Sequence, residues 1–317
     1  MRAGLFFILL TVFFVFTACE QVEEPEVIEL SLSDYAVNAP PEGGRYQISI
    51  NTNAALWEVE IDFDNYWWCS VGVNLFTNTL YIDIARTESE TSRQTRVIVQ
   101  VNNSAGALAV SDTIFIRQTG WNVPPEGVLI NSTIWARYNV DNFGTFAESP
   151  FHTGQLYQFN DKIGYTAVES NGSFTISPVW NPAPFVNEWQ SENNPCPAGW
   201  RLPTQEEMFA LIRSGYQYNE TLNGFFFGRN SQSATKENSQ GTVFFPAGGF
   251  IENGGVVDMF QAGRYWVQNG SMSNNDGSIT YRFLQFHNDG SERGLAEFIP
   301  IVVHNIRYAF SVRCVKK

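Results

Sequence analysis

The 317-residue chain is poor in the residues that most chemistry needs. It has four cysteines and three histidines. No two cysteines stand at Cys-x-x-Cys spacing, which argues against a zinc ribbon or a thioredoxin-like site. His152, His287 and His304 lie far apart in the chain, without the i, i+4 spacing of a helical metal pair, and read as surface or hydrogen-bonded residues. Gly-x-Ser-x-Gly, a P-loop and a Gly-x-Gly-x-x-Gly opening a helix are all missing. Basic residues are scarce: 19 Lys and Arg against 32 Asp and Glu give a net charge of −13. A surface so acidic repels phosphate backbones and speaks against nucleic acid as a partner. Beyond the first eighteen residues no apolar run approaches the roughly 20 residues of a membrane-spanning helix. What is plentiful is apolar and aromatic mass, 44% and 15% of the chain, enough for about two packed domains.

The beginning of the chain reads as an export leader. Arg2 is followed by an almost unbroken apolar run from Gly4 to Phe16, then by small residues Thr17 and Ala18 before Cys19. That order describes a secretory signal peptide over residues 1–18. The small-small-Cys ending resembles the bacterial lipobox, with Phe16 where that pattern prefers Leu. The resemblance implies cleavage before Cys19, a diacylglycerol on its thiol and an acylated amine. Residues 19–27 carry the acidic run Glu20-Gln21-Val22-Glu23-Glu24. They read as a solvated tether and resemble the surface-export signal of Bacteroidetes lipoproteins. The expected location is the outer membrane at the cell surface, with the lipid as the only membrane contact. Several acyl chains at ~0.8 kcal/mol per buried CH₂ make such an anchor permanent. Export also means an oxidising compartment. With Cys19 lipidated, Cys69, Cys196 and Cys314 allow at most one internal disulfide and leave one thiol.

Residues 28–118 alternate with a period of two. Tyr46, Ile48 and Ile50 form one series, Trp57, Val59, Ile61 and Phe63 a second, and Leu80, Ile82 and Ile84 a third. Val97, Val99 and Val101, then Ile114 and Ile116, continue it. Turn chemistry separates them at Pro40–Gly44, Asn51–Asn53 and Asn102–Gly106. About seven strands in ~90 residues predict an immunoglobulin-like sandwich. Glu42-Gly43-Gly44, Trp57, Trp67, Arg93-x-x-Arg96 and Ile116-Arg117-Gln118 resemble the BACON domain, a Bacteroidetes sandwich module. The resemblance implies a spacer or glycan-facing role without catalysis. Trp57, Trp67 and Trp68 invite a sugar-stacking reading; Trp57 is assigned to the core, and one of the adjacent pair is expected outside, since neighbours on a strand face opposite ways. Cys69 reads as a buried free thiol. Asp62-Phe63-Asp64-Asn65 offers oxygens of the kind calcium takes, but calcium needs six or more, and a solvated strand end is the plainer reading.

A stiff linker at 119–126, with Pro124-Pro125, leads to residues 127–317. Here one helix is predicted. Thr204 with Glu207 makes a capping box, Met208, Leu211 and Ile212 supply the apolar stripe, and Gly215 can end it. Glu206 and Glu207 in its first turn read as dipole-complementing caps rather than a catalytic pair. Six ordered blocks resemble the Fibrobacter succinogenes major paralogous domain. They are Val128–Asn131 with Ile134–Val140, Tyr157–Asn160, Asn194-Pro-Cys-Pro-Ala-Gly-Trp-Arg-Leu-Pro-Thr204, Phe244–Phe250, Gly263–Trp266 and Ala309–Val315. The resemblance implies an α+β C-type-lectin-like fold with its ends drawn together. The family's serines after Tyr-Trp are replaced by Val267-Gln268, and the calcium-lectin triplets do not occur. Cys196 just before the capped helix and Cys314 on the last strand are expected to pair, closing a loop of more than 100 residues, worth ~4–5 kcal/mol.

The sequence thus predicts a non-enzymatic surface lipoprotein without cofactor or metal. It would bind a glycan or a host or matrix ligand through loops 228–241 and 268–280 of the lectin-like domain. Tyr281, Phe283 and Phe286 are assigned to its core. The alternative is a structural or accessory subunit of a surface fibre or outer-membrane complex. A glycosidase carboxylate pair is the third reading, and nothing in the sequence selects one.

Overall fold

The computed structural model describes residues 27–184, 186, 188–275, 279–287, 296–303 and 307–317. Cys19, the leader and most of the tether lie outside the described residues.

The alternating segments of the first part become eight strands: β1 (Leu30–Leu32), β2 (Ala36–Ala39), β3 (Gly44–Thr52), β4 (Glu58–Ile61), β5 (Cys69–Asn74), β6 (Thr79–Ile84), β7 (Arg93–Asn102) and β8 (Leu108–Gln118). They form two four-stranded sheets, ordered β1-β3-β6-β5 and β2-β8-β7-β4. β2 runs parallel to β8, and the other pairs are antiparallel. The inward residues of both sheets share one core, in which Ile48, Leu80, Ile82, Val97, Val99 and Ile114 are fully enclosed. Each such side chain contributes ~1.5–3 kcal/mol by leaving water. The turn into β3 depends on Gly43, whose φ is +76° and whose Cβ would lie 2.1 Å from the Ile84 carbonyl oxygen. No larger residue fits there.

The second part begins with β9 (Gly127–Ile130) and β10 (Thr133–Asn139). Asn131 and Ser132, both at positive φ, make the two-residue turn between them. β11 (Leu156–Gln158), β12 (Gly164–Ser170), β13 (Ser173–Ser177), β14 (Trp200–Arg201), helix α1 (Gln205–Arg213), β15 (Tyr216–Asn219), β16 (Gly224–Phe227), β17 (Val243–Pro246), β18 (Phe250–Glu252) and β19 (Gly255–Val257) follow. The chain closes with β20 (Ala262–Ser273), β21 (Ile279–His287), β22 (Ala296–Val303), β23 (Tyr308–Ser311) and β24 (Arg313–Lys316). A nine-stranded sheet is centred on β23, β20 and β21; β14-β24-β10-β9 and β15-β16-β17 are smaller sheets. The last strand therefore pairs with one of the first, drawing the ends of this part together.

The central strands are buried on both faces. Trp266, Tyr281 and Phe283 enter one core with Phe159, Trp189 and the disulfide, while Tyr265, Val267, Leu284 and Phe286 enter another with Met208 and Leu211 of α1. That explains why Tyr281, Phe283 and Phe286 are all core although they do not share one face. Helix α1 has its capping box: Thr204 Oγ1 accepts from Glu207 N at 3.3 Å, and Thr204 N donates to Glu207 Oε2 at 2.8 Å. Arg201 grips the same carboxylate through two nitrogens at 2.7 and 2.8 Å. Cys196 and Cys314 are bonded, across a sequence separation of 118.

One expectation about loops changes. Residues 268–280 do not form one long loop: β20 runs to Ser273 and pairs with β21 down to Ser273↔Ile279, with an irregularity between Trp266 and Ser271. Within residues 119–126, Trp121 makes contacts to both parts of the chain. It donates its backbone N–H to Ser89 O at 3.0 Å and its indole N–H to Thr87 O at 2.8 Å, while its ring packs on the core that holds the disulfide.

Candidate functional site

The surface feature that best fits a ligand begins at the turn after β4. Phe63–Asn65 form one turn of 3-10 helix. Asp62 Oδ1 accepts from Asp64 N at 3.1 Å, so this acidic stretch caps a turn at the strand end. Asn65 then accepts from the Trp68 backbone N–H at 3.1 Å through its carbonyl and from the Trp68 indole at 3.0 Å through Oδ1. The chain is locked with Trp68 inward, 3% exposed, and Trp67 outward, 74% exposed. Trp57 lies in the core, 3% exposed, with its indole donating to Asn78.

Arg93 holds the two indoles together. Its guanidinium carbon lies 4.9 Å from the Trp67 ring centre and 4.4 Å from that of Trp68. Its Nε donates to Gln118 Oε1 at 2.8 Å and its Nη2 to Ala85 O at 3.0 Å. Gln118 is itself buried, and its amide donates toward the carbonyls of Pro40, Pro41 and Ala85 at 3.0–3.1 Å. Burial lowers the Arg93 pKa from its ordinary value, and the group stays charged. A cation stacked between two indoles attracts both π faces and stiffens the exposed one.

Opposite Trp67 stands the loop Arg86–Thr91. Between them lies an open cleft of about 480 Å³, lined by Trp67, Arg86, Thr87, Glu88, Ser89, Thr91 and Arg93. The Ser89 and Thr91 hydroxyls lie 2.7 Å apart. Glu88 reaches the second part of the chain, where Arg229 Nη2 sits 2.6 Å from its Oε2. An aromatic plate ringed by hydroxyl, carboxylate and guanidinium groups can pack on the C–H face of a sugar ring and hydrogen-bond its hydroxyls. Glu88 is the only carboxylate among the described lining residues, whereas glycoside hydrolysis uses two.

No family model and no curated protein matches this chain.

Of the residues singled out in the sequence, the structure joins Cys196 to Cys314 and leaves Cys69 buried as a free thiol, its pKa pushed up to about 11 by burial. Cys19 and His304 lie outside the described residues. His152 Nδ1 accepts from Gly154 N at 3.0 Å, which makes it a loop brace. Loop 228–241 does not stand free: Arg229 turns to Glu88, and Asn230 donates to Gln240 O at 3.3 Å. Near Trp266 and Tyr281 lies a cavity of about 20 Å³, room for one water, and a larger one of about 220 Å³ lies beside Glu88, lined by Asn131, Arg229, Asn230 and Gly241. Sequence reasoning noted Trp67 and Arg93 separately. It missed that Arg93 lies between two indoles and that Gln118 positions it, because β7 and β8 meet only in the fold.

Proposed function

We propose that this chain is a lipid-anchored surface protein that binds glycan without catalysis. Cys19 would carry the acyl chains and residues 19–27 would be the tether. Residues 28–118 would form a BACON-like, immunoglobulin-like sandwich. Residues 119–126 are the link, and 127–317 a C-type-lectin-like module of the Fibrobacter succinogenes major paralogous type. Two facing four-stranded sheets favour the first assignment. The paired end strands, the capped helix and the disulfide favour the second.

One observation carries the binding role: a solvent-facing Trp67 indole fixed by Arg93 beside a cleft of hydroxyl and charged side chains. A large exposed aromatic side chain held rigid is the kind of anchor that dominates binding energy. The test is a glycan array read with the detergent-solubilised chain. Trp67→Ala is expected to weaken the strongest hits by about 2 kcal/mol, roughly thirtyfold, with the fold intact. Unchanged hits in that variant would end this reading. The accessory-subunit reading draws on the Glu88–Arg229 pair, which ties the cleft to the second part of the chain. Stoichiometric partners in outer-membrane pull-downs, lost on Trp67→Ala, would favour it.

A further inference from the structure

A second groove lies on the first part of the chain and shares no lining residue with the Trp67 cleft. It encloses about 510 Å³ over the outer face of β2-β8-β7, with Asp62 and Asn65 at one side. Register builds it. Ala36, Phe115 and Arg96 face one another across the three strands, and Asn38, Arg117 and Gln94 make the neighbouring row. All six project outward, because Val37, Ile116 and Val97, each next to one of them on its strand, fill the core. Phe115 is 64% exposed in the middle of this face, and small Ala36 leaves one side of its ring open.

The charge is unusual for this molecule. On a chain with a net charge of −13, the charged lining residues are Arg96, Arg117 and Asp62. Neither arginine enters an ion pair among the described residues. Asn65 Oδ1 accepts from the Trp68 indole, which leaves the side-chain amide N–H groups of Asn65 as donors. The backbone of β8 at the groove floor is paired on both sides. The groove floor therefore offers side chains rather than backbone groups for recognition.

We propose that this groove binds the carboxylate-bearing sugar of an acidic oligosaccharide. Arg96 and Arg117 hold the carboxylate, Phe115 packs on the ring face, and Asn38, Gln94 and Asn65 hydrogen-bond the hydroxyls. Guanidinium forks match carboxylate geometry, amides supply donor and acceptor together, and the volume falls within the ~300–1,000 Å³ typical of small-ligand sites.

The experiment is a titration of the detergent-solubilised full chain with trigalacturonate, a hyaluronan tetrasaccharide and sialyllactose. Neutral trigalactose and pentaglutamate serve as counter-probes. At least one acidic sugar is expected to bind, more weakly at 500 than at 50 mM salt. The double variant Arg96→Ala/Arg117→Ala should lose roughly ten- to a hundredfold in affinity, and Phe115→Ala roughly tenfold. Arg96→Lys/Arg117→Lys should recover part of the loss. Arg213→Ala, which removes one exposed charge on α1, should change nothing. Because the three side chains are outward, unfolding is not expected, and an unchanged melting curve checks it. The proposal is overturned if no acidic sugar binds, if trigalactose binds as well, if pentaglutamate binds more tightly, or if the arginine variants bind like wild type. Array hits that depend on Trp67 stand or fall separately, since the two residue sets are disjoint.

Discussion

Arg313 shows how much a single side chain organises. It is fully buried, yet every acceptor it meets is neutral: Asn139 Oδ1 at 2.8 Å, and the carbonyls of Ala136, Arg137 and Phe244 at 2.6–3.0 Å. Its guanidinium also stacks 4.7 Å from the Phe245 ring. Burial pulls its pKa down to about 10, still far above neutral, so it is charged at physiological pH. It stitches β10 and β17 to β24 beside the disulfide. Arg313→Leu would orphan several buried acceptors. A loss of about 3 kcal/mol or more is expected, read as a lower denaturant midpoint. A loss under 1 kcal/mol would show that the carbonyls find water. The sequence marks Arg313 only as part of the Ala309–Val315 block; its partners come from strands up to 177 residues away, so no local pattern could reveal the role.

At the scale of elements, legibility follows periodicity and local chemistry. β3, β6 and β7 were visible because each has one buried face and so alternates. β1 and β2 are three and four residues long and carry too little pattern to register. In β16 and β17 every residue is buried, so Gly-Phe-Phe-Phe and Val-Phe-Phe-Pro show no alternation at all. Helix α1 was legible to its caps, because a capping box is written in four consecutive residues. Thr204→Ala should cost about 1 kcal/mol. Glu207→Ala should cost more, since Glu207 also answers Arg201. Equal losses, measured by thermal unfolding, would mean that the Arg201 pair adds nothing. The hairpin of β20 and β21 reads as a loop in the sequence because the register shifts between Trp266 and Ser271, and the paired residues Ser271–Ser273 and Ile279–Tyr281 beyond that irregularity are too few to show alternation.

Across the whole molecule, two kinds of cement act at different places. The first part has an apolar core and no disulfide among its described residues; the second adds Cys196–Cys314. Reduction should lower the stability of the second part by ~4–5 kcal/mol and spare the first. Hydrogen exchange would show it as faster exchange in β10, β23 and β24 with β6 and β7 unchanged. Joint loss would mean that Trp121 makes the two parts one cooperative unit. The exposed Glu88–Arg229 pair is worth too little to do so alone. Nothing in the sequence linked Glu88 to Arg229, or Trp121 to both parts, because those contacts exist only once both parts have folded.

The binding claim is tested most directly by the indole N–H resonances of the 15N-labelled chain titrated with the strongest array glycan, with Trp67 assigned through Trp67→Phe. The account predicts a saturating shift of the Trp67 signal. The Trp57 and Trp68 signals, tied to Asn78 and Asn65, should stay near their starting positions. A bound glycan that leaves the Trp67 resonance where it began would contradict the account.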